Sequence, residues 1–191
     1  NLTIGYIMQV AQKNKVAAAP YLYKVTQTSA EETKKNPIPY ELIGYFYFDE
    51  LNKLTTEIKA MADDQKPEDP EDVAKAKVDA IKAKVALANG TAERAIEAFS
   101  RAYTLGSAAA YKKTMRDNIE GAYKLRFAKT EGMDEFIAVA AKKPFQNPMT
   151  PVTPISDPDP VAPAATTDTS SSPAAASPIK PAAKSGKPAN K

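Results

Sequence analysis

Cysteine, histidine and tryptophan are absent from all 191 residues of the chain. Without cysteine or histidine there is no thiol nucleophile, no Cys/His zinc site, no disulfide and no Ser-His-Asp triad. The excess of positive over negative charge is also small, because 26 basic and 23 acidic residues give a formal charge of only +3. Such a small excess does not indicate a nucleic-acid-binding protein. No uninterrupted apolar run approaches the roughly 18 residues of a membrane-spanning helix, so none is predicted.

Sequence motifs of catalysis and cofactor binding are missing as well. The chain contains no P-loop, no G-x-G-x-x-G and no nucleophile elbow. The acidic run "DDQKPEDPED" (residues 63–72) lacks the residue order and central glycine of a calcium loop, so a solvated loop is the better interpretation. Asp49 and Glu50 are adjacent on a predicted helix and point in different directions, which argues against an acid-base pair. We therefore predict a protein that is not an enzyme, with no cofactor, metal or small-molecule substrate.

Apolar residues between Pro39 and Ala62 recur at steps of three and four, which predicts the clearest helix of the chain. Further helices are predicted from Asp69 and Pro70 to about Ala88, from Thr91 to Gly106, from Ser107 onward, and from Thr130 to Pro144. Asn89 and Gly90 are interpreted as a helix stop, and Thr91 and Ser107 as caps. Short connections favour antiparallel neighbours. The predicted fold class is all-α, over a domain of residues 1–143.

The last quarter of the chain has a different composition. Eleven of the 16 prolines fall from Pro144 onward, among Ala, Ser, Thr and Lys, and such a segment buries too little apolar surface to offset the entropy of ordering it. Pro148, Pro151 and Pro154 stand three apart, the period of a polyproline II helix. We predict an extended proline-rich tail over residues 144–191. Its lysine-rich end, "IKPAAKSGKPANK", could hold an anionic polymer or nucleic acid weakly, although a protein partner is favoured.

Two segments resemble the tetratricopeptide repeat. "PYELIGYFY" is similar to the first helix of such a repeat, and "AERAIEAFSRA" to the second. The residues that carry the resemblance are Tyr40, Ile43, Gly44, Tyr47, Ala95, Phe99 and Ala102. The resemblance implies a short solenoid of antiparallel helix pairs that binds other proteins and does no chemistry. Because the repeat period of about 34 residues is not kept, an irregular helical bundle is the alternative.

The first ten residues, "NLTIGYIMQV", are apolar on adjacent sides, although terminal repeats normally carry a polar outer face. We expect this end to be covered by the tail, by another protein or by a second copy, the last of which can propagate into a filament. The leading hypothesis is a protein-interaction scaffold that self-assembles through this end and the tail. The predicted interface residues are Leu2, Ile4, Ile7, Met8, Pro148, Pro151, Val152, Pro154 and Ile155.

The chain has no initiator methionine, which indicates processing or trimming before Asn1. We favour export to the periplasm or outside the cell over the cytoplasm. Weak binding of an anionic polymer or nucleic acid through the lysine-rich end is the second hypothesis, and an envelope-associated scaffold is the third.

Overall fold

The computed structural model describes residues 1–157, which form six helices, one further helical turn and no strand. The helices are α1 (Leu2–Tyr6, continued by a π-helix over Ile7–Ala11), α2 (Lys15–Thr26), α3 (Ile38–Asp63), α4 (Glu71–Leu105), α5 (Ala109–Phe127) and α6 (Met133–Ala140), and the single turn is Glu31–Lys34. The predicted all-α fold with antiparallel packing is confirmed. None of these helices combines the length and the apolarity needed to cross a membrane.

Residues 1–157 make up one compact unit, which extends past the expected domain limit at residue 143. Residues 144–157 carry no helix or strand and lie against the helices. The rest of the predicted tail, including its lysine-rich end over residues 179–191, lies outside the described residues.

The core lies where α3, α4 and α5 pack together. Phe99 of α4 is fully buried, and the rings of Tyr45 and Phe48 meet it edge-on at centroid distances of 5.3 and 6.2 Å. Gly44 makes this packing possible, because a Cβ at that position would lie 2.6 Å from the Phe99 ring. Close approach of α3 to α4 therefore depends on one glycine and one phenylalanine.

The residues that carry the repeat resemblance all lie in this interface. All seven are buried: Tyr40, Ile43, Gly44, Tyr47, Ala95, Phe99 and Ala102. The two helices are, however, 26 and 35 residues long. The geometry is therefore that of an antiparallel helix pair with close contacts.

The predicted helix stop at Asn89 and Gly90 is wrong, because α4 runs without a break from Glu71 to Leu105. A glycine inside a helix costs about 1 kcal/mol, and burial on several sides outweighs that cost here. Thr91 is inside the helix instead of capping it, and its hydroxyl donates to the Leu87 carbonyl at 2.9 Å.

Two other helix starts are displaced by one or two residues. Helix α4 begins after Pro70 and α5 after Ala108, and neither start has a side-chain cap, so the predicted cap at Ser107 is wrong. Asp69, just before Pro70, does not cap α4, and its carboxylate accepts from the Lys77 ammonium at 2.8 Å. Helix ends are the least determined part of a sequence pattern.

The last two helices each bury one face. Met115, Ile119, Ala122 and Tyr123 are buried on α5. Met133, Ile137 and Ala140 are buried on α6, with Phe136 half-buried beside them. Helix α6 ends at Ala140, shortly before Pro144.

The α3–α4 pair has two parts with different surroundings. We call residues 52–85 the arm, and residues 38–51 with 86–105 the base. No residue of the arm is buried, whereas Leu51 and Ala86, at its two borders, are. In the base α4 also contacts α5 and α6, while in the arm it packs against α3.

Candidate protein-binding groove

Residues 144–157 lie along one side of α4, and we call this segment the strap. The backbone N–H of Ile155 donates to the Ala86 carbonyl at 2.8 Å. In return the Asn89 side-chain amide donates to the Ile155 carbonyl at 3.0 Å. The strap is thus hydrogen-bonded directly to the helix it covers.

Gly90 allows the strap to come this close. A Cβ at position 90 would lie 2.2 Å from the Thr153 carbonyl oxygen and 2.9 Å from Cγ1 of Val152. Real Cβ atoms do not approach backbone at such distances, so any larger side chain would displace the strap. The glycine interpreted as a helix stop is therefore required for contact with the strap.

Arg94 fixes the strap against α3. Its guanidinium is buried and donates to the Tyr47 hydroxyl at 3.1 Å, the Thr150 carbonyl at 3.0 Å and the Pro151 carbonyl at 2.9 Å. An arginine stays charged even when buried, and these acceptors satisfy it. Burial raises the pKa of Tyr47, and the Arg94 bond offsets part of that shift. The hydroxyl therefore stays protonated.

Arg126 of α5 secures the far end of the strap. Its guanidinium donates to the Asp157 carboxylate at 2.7 Å and to the Glu93 carboxylate at 3.2 Å. Helices α4 and α5 and the last described residue of the strap are joined through this one side chain.

The predicted tail contacts divide by exposure. Pro148 is buried, Val152 and Ile155 are half-buried, and Pro151 and Pro154 are exposed. The buried and half-buried members of this group therefore contact helices of their own chain.

The strap forms one wall of an apolar groove with a volume of about 360 Å³. The other walls come from α2, α3 and α4. The residues that line it include Phe46, Tyr47, Leu54, Leu87, Thr91, Pro148 and Val152. Val16 and Met149 also line it and remain 57% and 52% exposed. Its size falls within the range of about 300–1,000 Å³ typical of ligand sites.

A second cleft, of about 590 Å³, shares Val16, Phe46 and Glu50 with the first. Charged residues surround it, with Lys15 paired to Asp49 and Lys53 paired to Glu50. We call the two clefts together the binding groove. One end of the binding groove is apolar and the other is charged.

The N-terminal segment lies near the charged end. Of its predicted interface residues, Leu2 and Met8 are half-buried and pack against the core. Ile4 and Ile7 face outward and are 44% and 46% exposed. Tyr6 and Val10 are exposed beside them, so this segment presents an outer apolar row.

Ionisable side chains also line a small cavity of about 90 Å³ beneath the strap. Glu93, Arg94, Glu97 and Lys143 line it. Burial raises the pKa of Glu97, and the nearby Arg101 guanidinium partly lowers it. The cavity is smaller than the sites that hold organic ligands. Within residues 1–157, no three His, Cys, Asp or Glu side chains are placed to share a metal ion.

Comparison with protein-family models, with curated proteins and with solved structures gives no match to this chain. The tetratricopeptide resemblance therefore leads to no family assignment. What stands is an all-helical domain of antiparallel helices.

Sequence reasoning placed Pro148, Pro151 and Val152 in an interface but missed the helical residues that line the binding groove beside them. Phe46 and Leu87 were indistinguishable from core residues, and Arg94 was one charge among many. One signal was present, because Asn89 and Gly90 form an Asn-Gly pair inside an otherwise alanine-rich helical pattern. Such a pair also fits a place where another backbone approaches a helix closely.

Proposed function

We propose that this chain is a non-enzymatic protein-interaction scaffold, and that the binding groove is its contact surface. The observation that carries the proposal is the apolar end of the groove, where Val16 and Met149 stay more than half exposed beside Phe46 and Leu87. Exposed apolar surface inside a concave site favours binding of another molecule. Methionine is also among the residues enriched at protein interfaces.

The charge distribution of the groove suggests what kind of segment fits it. Apolar side chains of a partner would enter between the strap and α3, while its charged side chains would lie near Lys13 and Asp49. An amphipathic helix has this division of side chains, and grooves that bind such helices are a common mode of recognition.

Self-assembly is the most specific version of the proposal. The outer row of Ile4, Tyr6, Ile7 and Val10 is an apolar surface close to the groove. Contact between this row and a different surface of the next copy would be heterologous, and it would form a ring or a filament according to whether the rotation closes.

The test is the double variant Val16→Glu with Met149→Glu. Both side chains are exposed, so the fold should persist while the apolar end of the groove acquires two charges. Val139→Glu is the matched control, because Val139 is equally exposed, at 57%, and does not line the groove. Sedimentation velocity would measure self-association, and cross-linked pull-down with mass spectrometry would measure partner capture.

We expect the double variant to lose association or partners that the control keeps. Unchanged circular dichroism would show that the helices remain folded. Identical association and partner capture by the unmodified chain, the double variant and the control would contradict the proposal for the groove.

A further inference from the structure

We infer that the arm is a docking element for a second copy of this chain, and that two arms pair side by side in opposite directions. The contact face is the side of α4 that carries Val73, Ala76 and Ala80. The inference deepens the self-assembling version of the proposed function and rests on it only for the claim that copies associate.

Helix α4 carries two rows of residues at heptad spacing that run along the arm and end in the first residues of the base. The first row faces α3, is buried or half-buried, and consists of Ala74, Lys77, Ile81, Lys84 and Ala88. The second row lies one residue earlier at each position and consists of Val73, Ala76, Ala80, Ala83 and Leu87. Sustained heptad spacing of apolar residues is the pattern of a helix–helix seam.

The second row is the more apolar of the two and yet the more exposed. It contains no charge, whereas the row against α3 contains two lysines. Its first four members are exposed, Val73 at 38%. Three of its members, Val73, Ala76 and Ala80, line an open groove of about 410 Å³ together with Met61, Asp64 and Lys77. Within residues 1–157, a face with the composition of a seam is therefore uncovered along the arm.

The same face is already a docking surface farther along α4. Continuing the spacing of three and four beyond Leu87 leads to Gly90 and then Arg94, the two residues that hold the strap. Among the described residues, one continuous side of α4 thus has a chain segment on it in the base and none along the arm.

The charge distribution along the arm indicates which molecule occupies the open face of α4. The tip of the arm, residues 61–74, has six carboxylates and one lysine. The shaft, residues 52–60 and 75–85, has six lysines and two carboxylates. Two arms related by a twofold axis and running in opposite directions would place each acidic tip beside a basic shaft. Parallel arms would place like charges together.

The arm is short, which limits the strength of the pair. From Glu71 to Val85, α4 is about 22 Å long at 1.5 Å per residue. The interface is therefore at the small end of specific interfaces, and the dimer should depend on concentration and weaken with added salt.

The test compares two alanine-to-glutamate variants of the full chain. Ala80→Glu places a charge on the open row, and Ala60→Glu places the same charge on an exposed part of α3 that does not line the groove. Sedimentation equilibrium should give a dimer dissociation constant that is raised about tenfold or more by Ala80→Glu and is unchanged by Ala60→Glu. An Ala80→Glu protein that dimerises as the unmodified chain does would overturn the inference.

Orientation is tested by cysteine cross-linking, for which the absence of native cysteine gives a clean background. Ala80→Cys lies near the middle of the paired arms and should form a disulfide-linked dimer under mild oxidation. Glu68→Cys at the tip should not, because opposed arms hold the two tips apart. Cross-linking at position 68 as fast as at position 80 would overturn the antiparallel arrangement.

The two proposals can fail separately. Association lost in the groove double variant but kept in Ala80→Glu would overturn the arm inference and support the groove. A chain that is monomeric at every concentration and captures no partner would overturn both.

Discussion

The base and the arm contain two halves of the same helix in different environments. In α4, fourteen residues between Ala86 and Ala102 are buried, and none between Glu71 and Val85 is. Both halves are rich in alanine, a strong helix former. Helix propensity therefore does not distinguish them, and the difference lies in what packs around each half. A single long helix can thus combine a core element with a peripheral one.

The largest effect is expected where this contrast is greatest. Phe99→Ala in the base should lower the free energy of unfolding by about 3–5 kcal/mol, because it empties a fully buried site. Ile81→Ala in the arm should cost clearly less, since Ile81 is half-buried and water reaches the site. Urea titration followed by circular dichroism measures both. Equal costs would show that the arm is as well packed as the base.

A smaller effect should come from Gly90→Ala. Elsewhere in a helix this change stabilises by roughly 0.5–1 kcal/mol, but here the new methyl group would collide with the strap. We expect no such gain, together with faster hydrogen exchange at the amide of Ile155. Gly121→Ala on α5 is the matched control, because its nearest foreign atom is 3.5 Å from the new Cβ. It should raise the melting temperature, and equal gains from both changes would contradict the close approach of the strap.

The smallest effect concerns pH. Burial raises the pKa of Glu97 above its ordinary value of 4.5, so the folded protein holds this proton more tightly than the unfolded chain. The unmodified protein should therefore lose stability relative to Glu97→Gln as pH rises through the range just above 4.5, and the difference should level off at higher pH.

Thermal melts of both proteins from acid to neutral pH measure this difference. Glu57→Gln in the arm is the control, because Glu57 is exposed and exposed ion pairs contribute little at any pH. A difference between the Glu97 proteins that does not change with pH would contradict the effect of burial.

The sequence predicted helices best where apolar spacing was strong, as in α3, α5 and α6. The prediction failed at Asn89 and Gly90 because a local stop signal carries no information about the strap. The strap contacts α4 from more than fifty residues away. Arg94 and Thr150 are 56 positions apart, and no periodicity links such distant residues. At the N-terminus the sequence showed that the segment is apolar, but it did not show which side chains face the core. Leu2 and Met8 turn inward while Ile4 and Ile7 turn outward.

The strap also sets how the folded unit would respond to a mechanical load. The chain continues beyond Asp157, so a pulling force on that continuation first loads the hydrogen bonds of Asp157 with Arg126 and Asn89. The next bonds to bear it are those at Asn89 and Ala86, and those at Arg94 come last. These contacts would break one after another, starting at the pulled end of the strap. A partner that pulled on this end would release the strap from Arg126 and then from Gly90, and it would widen the groove before any helix of the core gave way.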